Sequence, residues 1–173
     1  MIEVLRLSHR IPRDQRTSTH VALVARAFGA SKIYYSGMKD KSFEDSVNKI
    51  VEKFGGPFSI EYYKKDLELI KEKSAQGFKI VHLTMFGKPI QNKITYIRRN
   101  KNILVIVGGE KVEGEVYKLS DFNVAVTSQP HSEVSSLSIF LDRYFDAQEL
   151  DFKFSNAKIE VVPQEKGKLL KKI

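Results

Sequence analysis

Two stretches of small and polar residues, each following a run of aliphatics, hold most of this chain's capacity for chemistry. The run 103–107 breaks into Gly108-Gly109-Glu110-Lys111 and then Val112. The run 122–126, ending at Val126, breaks into Thr127-Ser128-Gln129-Pro130-His131-Ser132-Glu133, which enters a helix. Loops at the carboxyl ends of neighbouring buried strands are where an open α/β sheet binds its ligand. Glycines let the backbone approach that ligand closely, so amides and carbonyls do the reading. A flat, polar, nucleotide-like molecule suits such a site. A third cluster precedes them: Arg6, His9, Arg10, Arg13 and Arg16 crowd what reads as a single arginine-rich loop. The forked guanidinium is suited to phosphate, which makes Arg10, Arg13 and Arg16 the candidate phosphate contacts of a polyanionic partner.

A solvated turn would account for Glu110-Lys111 alone, and a helix start capped by Ser132 for the second loop alone. Together, with glycines where a ligand would approach, they favour a binding site. Other chemistries find little support. No Gly-x-Gly-x-x-Gly follows the first strand and no Walker lysine is present, so ordinary dinucleotide and P-loop sites are not expected. The four histidines lack zinc-ligand spacing, and the chain has no cysteine, so no metal is expected. His82, between Val81 and Leu83, reads as a satisfied imidazole of the core or sheet end. No serine stands in a nucleophile elbow.

At 173 residues and 42% hydrophobic, the chain has the length for one well-buried domain. Its net charge of +8 points to a polyanionic partner. No secretory leader and no membrane-length apolar run is readable, so a soluble cytoplasmic protein is expected.

Strand and helix signals alternate to position these loops. Strands are expected at 2–7, 32–36, 58–63, 78–86, 103–107 and 122–126. Thr17 or Ser18 is expected to cap a helix with Val21, Val24, Ala25 and Phe28 inward and Gly29 at its end. Ser42 with Asp45 reads as a capping box for a second helix, striped by Phe43, Val47, Ile50, Val51 and Phe54. A short charged helix covers 66–75, anchored by Leu67 and Ile70. Pro89 is placed in the first turn of a helix carrying Ile90, Ile94 and Ile97. The last helix, 133–144, turns Val134, Leu137, Ser138 and Leu141 inward. Repeated βα alternation with near-continuous apolar strands predicts an α/β fold, a mainly parallel sheet with helices on both faces. The domain is expected to span 1–145. Residues 146–173 form an extension, with Phe152, Phe154, Ile159 and Val161 in a hairpin turning at Ser155-Asn156, followed by a basic tail.

The strings RDQRTSTHVALVARAFGAS, VHLTMFG, VIVGGEKVEGEVYKLSDFNVAV and SQPHSEVSSLSIFLDR make the chain resemble the archaeal tRNA cytidine-56 2′-O-ribose methyltransferases of the SPOUT superfamily. The resemblance runs from about Leu5 to Arg143. It implies an α/β sheet with a deep C-terminal trefoil knot, S-adenosylmethionine as cofactor, tRNA as substrate and a homodimer. By matching motifs it sets the cofactor against Leu83, the 108–112 turn (Gly108, Gly109, Glu110, Lys111, Val112) and the 126–133 loop. It also implies a substrate-side arginine, Arg16 first and Arg26 second. Glu133 stands where relatives outside the subfamily carry asparagine, which suggests a different role, towards the hydroxyl or the cofactor's charged end. Two other readings stay open at this point: a non-catalytic RNA-binding module, and a base methyltransferase of the same superfamily.

Overall fold

The computed structural model describes residues 1–109 and 111–173, so Glu110 lies outside the described residues. Six strands, β1 (Ile2–His9), β2 (Lys32–Gly37), β3 (Ser59–Tyr62), β4 (Lys79–Pro89), β5 (Ile103–Val107) and β6 (Phe122–Ala125), form one sheet. Their order is β3-β2-β1-β5-β4-β6 and every pairing is parallel. The helices are α1 (Gln15–Ala27), α2 (Lys41–Phe54), α3 (Asp66–Ala75), α4 (Ile94–Ile97), α5 (Gly114–Leu119) and α6 (Glu133–Phe145).

The period of two along each strand divides the core. Val4 on β1 and Val105 on β5 face the side covered by α1, α2 and α6, packing with Val21, Phe43, Leu137 and Phe140. Leu5, Leu104 and Ile106 face the other side, with Leu69, Ile70 and Val116 of α3 and α5. Both faces are dry, as the aliphatic runs anticipate. The same parity puts Arg6 on the face of Val4, beneath α6.

The helix starts differ from the sequence expectation. The residue before α1 is Asp14, so Thr17 and Ser18 lie inside the helix and Arg16 is in its first turn, not in a loop. Asp40, not Ser42, caps α2, its side chain accepting from the Phe43 amide. The Ser132 cap of α6 is as expected, accepting from the Ser135 amide at 3.3 Å. On α6 the buried positions are Ser136, Leu137, Phe140 and Leu141, and Ser138 is only half-buried. Leu69 and Ile70 are the buried anchors of α3, with Leu67 packed at the margin. Pro89 ends β4 instead of starting a helix, and a single 3-10 turn intervenes before α4.

Val124 on β6 is in register with both Leu83 and Lys88, so the 83–88 segment of β4 bends about β6. Gly87 makes this passage possible: a β-carbon there would lie 2.5 Å from the Val124 amide nitrogen. At the other edge, the C-terminal hairpin pairs β7 (Ile159–Val162) with β8 (Leu169–Lys172), antiparallel. The expected hairpin was one strand too early. Phe152 packs edge-on to Phe145, and Ser155 bridges to Gly56, so this segment docks on the body instead of pairing with itself. The supposed basic tail supplies the second strand.

Candidate functional site

The carboxyl ends of β1, β4 and β5 and the start of α6 enclose a cavity of about 430 Å³. That is within the size range of small-molecule sites, about 300–1,000 Å³. Leu83, Thr84, Met85 and Phe86 of β4 line one wall. Gly108, Gly109 and Val112 after β5, with Tyr117 of α5, line another. Pro130, His131, Glu133 and Ser136 close the third side, and Arg6, Arg10, Arg13 and Asp14 the fourth.

Of the residues expected to hold the cofactor, the structure brings Leu83, Gly108, Gly109, Val112, Pro130, His131 and Glu133 together. Lys111 lines an adjoining cleft with Ser8, Arg10 and Gly109. Val126, Thr127, Ser128, Gln129 and Ser132 are not on the cavity wall: Val126 packs against the core, the Thr127 hydroxyl accepts from the Gln129 amide, and Ser132 is spent on its cap. The expected Glu110 contact falls outside the described residues.

Arginine placement divides sharply. Arg10 and Arg13 reach the cavity. Arg10 donates to Asp14 at 2.9 Å, which pulls the Asp14 carboxyl below its ordinary pKa. Arg16 is exposed on the first turn of α1 and does not line the cavity. Arg26 corrects an expectation. Its guanidinium is buried, donating to the Phe54 carbonyl at 2.6 Å and the Gly55 carbonyl at 2.7 Å, with the Phe154 ring 4.2 Å away. Its Nε and Nη2 are committed to backbone carbonyls away from the cavity, and its face of the helix is covered, not solvated.

Arg6 and His9, grouped in the sequence with the arginine loop, belong instead to β1. His9 is fully buried: Nδ1 lies 2.8 Å from the Ser18 hydroxyl and Nε2 3.2 Å from Asp40. This serine-histidine-aspartate chain is sealed from substrate, so it is a tie between the starts of α1 and α2 that fixes the arginine-bearing turn. Arg6 was missed as a site residue. It is 1% exposed, with Nη2 3.6 Å from Glu133. Burial lowers its pKa, and the charge of Glu133 opposes that shift. The signal was available, because a strand buried on both faces has no ordinary place for an arginine. His82 is buried as expected, its Nδ1 2.9 Å from the Asn123 side-chain oxygen, and it also borders the cavity beside Tyr117. Among the described residues no cluster of histidine and acidic side chains could hold a metal ion.

The fold has close counterparts among solved structures. The SpoU methyltransferase AviRb from Streptomyces viridochromogenes, in complex with the cofactor AdoMet, superposes with a TM-score of 0.63 at 14% identity, covering 84% of this chain and 57% of that one. The A. aeolicus TrmH/SpoU tRNA modifying enzyme gives 0.63 at 16%, covering 89% and 80%. The architecture is therefore that of the SpoU/TrmH methyltransferases. At the level of sequence, residues 54–171 match the family described as tRNA ribose 2'-O-methyltransferase, aTrm56. The tRNA (cytidine(56)-2'-O)-methyltransferase of Methanothermobacter thermautotrophicus is 47% identical over 99% of this chain and 97% of its own. That of Methanocaldococcus jannaschii is 50% identical over 98% and 96%. The chain belongs to the aTrm56 family of tRNA ribose 2'-O-methyltransferases. The likeness continues past Arg143, where the quoted motifs end, into the C-terminal hairpin.

Proposed function

We propose that this protein transfers a methyl group from S-adenosylmethionine to the ribose 2′-hydroxyl of cytidine 56 in tRNA, working as a homodimer in the cytoplasm. The family membership above carries the reaction, and the cavity between β4, β5 and α6 is what makes it a catalyst. A non-catalytic RNA-binding module would have no use for that cavity. The residues fit the cofactor. Gly109 leaves the backbone bare beside Arg6, the Leu83 and Val112 side chains offer apolar surface, and Glu133 offers a carboxylate.

When bound, the cofactor supplies an electrophilic methyl on a sulfonium. The protein then has to place the hydroxyl in line and ease the loss of its proton. An arginine does this best by stabilising the developing alkoxide, since acting as a base would need a large pKa shift. Arg16 is assigned that role. It is exposed and lies outside its own cavity, which fits delivery to the cavity of the second subunit. Arg10 and Arg13, at the mouth, are assigned to tRNA phosphates. The trefoil knot belongs to the same reading, supported by the wrapping of 83–88 about Val124 and the bare backbone at Gly87. So does the division into a methyltransferase domain, 1–145, and an extension, 146–173. No helix among the described residues is long and apolar enough to cross a membrane.

Labelled methyl transfer to unmodified tRNA, followed by digestion to nucleosides, tests the proposal. The label should appear in 2′-O-methylcytidine. Label in a methylated base would establish the base methyltransferase instead.

A further inference from the structure

A buried guanidinium is costly unless its donors find acceptors. Arg6 has Nη1 on the Leu7 carbonyl at 2.6 Å, Nη2 at 3.6 Å from Glu133 Oε1, and a buried Nε with no partner. The Nη2–Oε1 separation is longer than a hydrogen bond. The Glu133 side chain is 28% exposed, and both residues line the cavity. A cation and an anion therefore stand side by side on the wall, neither fully used by the protein.

The other charged groups of the wall bear on what they meet. Arg10 and Arg13 line the same cavity, and of the two carboxylates among the described lining residues Asp14 is held by Arg10. A ligand that brings sulfonium and ammonium groups calls for a carboxylate on that wall. Glu133 is the described carboxylate placed to meet them. It also sits in the first turn of α6, where negative charge is favoured.

We infer that the Arg6–Glu133 pair is the subsite for the amino-acid end of S-adenosylmethionine, Glu133 receiving the ammonium and Arg6 the carboxylate. This rests on the cofactor assignment above. The two ligand groups are attached to one carbon, and the two side chains are adjacent, so one end of the cofactor meets both. The subsite makes the protein selective for the complete amino-acid tail over a truncated thioether. It also assigns Glu133 to the cofactor's charged end and leaves the hydroxyl to arginine.

Calorimetric binding of three ligands tests this without turnover: S-adenosylhomocysteine, its decarboxylated amine, and 5′-methylthioadenosine, which lacks both charges. Glu133→Gln should weaken the first two by about tenfold or more, the scale of a charged hydrogen bond, and leave the third unchanged. Arg6→Met should weaken only the first, to near the affinity of the amine. The double variant Arg6→Met/Glu133→Gln buries no unpaired charge, and its binding of methylthioadenosine reports that the cavity is intact. Equal losses for all three ligands in the single variants would overturn the subsite. An Arg6→Met that weakens the amine as much as S-adenosylhomocysteine would remove Arg6 from it. Wild-type protein that binds none of the three would instead sink the cofactor reading itself.

Discussion

The seam where the C-terminal segment meets α1 and α2 and the floor of the cavity each bury an arginine, and the two are satisfied to very different degrees. Arg26, at the seam, gives its donors to the carbonyls of Phe54 and Gly55 and its flat face to Phe154. Arg6, at the cavity, keeps an unpartnered Nε and a carboxylate beyond hydrogen-bond range. A buried guanidinium bonded to backbone carbonyls of a distant segment is scaffold. One whose donors are left over, beside a cavity, is kept for something that arrives.

The largest expected effect separates these roles. Arg26→Ala should cost about 3 kcal/mol of stability, since it strands two buried carbonyls and exposes Phe154. Urea unfolding would measure it, with cofactor affinity of the folded protein unchanged. A loss of affinity without a loss of stability would abolish the distinction between the two regions.

Arg16 adds a third kind of arginine, exposed and outside its own cavity. Arg16→Ala should lower turnover at least about a hundredfold, roughly 2.7 kcal/mol of transition-state stabilisation, and barely change cofactor affinity. Mixing it with Gly109→Val, inactive by itself because a branched side chain enters beside Arg6, should restore part of the activity through mixed dimers. No recovery after verified subunit exchange would place arginine and cofactor in one chain. Near-normal turnover in Arg16→Ala would return the catalytic role to the cavity arginines.

A smaller effect belongs to the mouth. Replacing Arg10 and Arg13 by alanine should reduce the salt dependence of tRNA binding, lowering the log–log slope by roughly 1.5 for two lost phosphate contacts. An unchanged slope would move the RNA footprint elsewhere, most simply to the lysines of the C-terminal hairpin.

The smallest is a pH effect at His82. Burial lowers its pKa below the usual value of about 6.5, partly offset by its bond to Asn123. The unfolded chain then takes up a proton more readily than the folded one. The stability contributed by neutral His82 is present above about pH 6.5 and is lost as pH falls towards the folded pKa. His82→Phe should flatten that part of the stability–pH curve, and an unaltered slope would assign it to another group.

The arginines also show how far the sequence could be read. The alternation of aliphatic runs and polar loops was enough to place β5 at 103–107, α3 at 66–75 and the glycine turn at a strand end, because burial on both faces of a parallel sheet leaves a continuous apolar signature. Helix starts were less legible. Asp14 and Asp40 lie ahead of serines and threonines that look like equally good caps, and only the path of the chain out of β1 and β2 decides between them. The C-terminal hairpin was misplaced because Phe152 and Phe154 are apolar for docking onto α1 and α6, not for strand pairing. Arg6 and His9 were grouped with the loop by composition, although β1 runs on to His9. Arg26 is a candidate only through the family resemblance, and nothing local reveals that Gly55 and Phe154 come from elsewhere to meet it. Side chains whose meaning depends on distant backbone are the ones that sequence alone reads least well.

The most direct test of the central claim is methyl transfer to a tRNA carrying 2′-deoxycytidine at position 56 alone, compared with an otherwise identical unmodified tRNA. The account predicts rapid transfer to the unmodified tRNA and none above background to the deoxy variant, with binding of the two within a few-fold. Equal transfer to both would contradict it, because the acceptor would then be some group other than that 2′-hydroxyl.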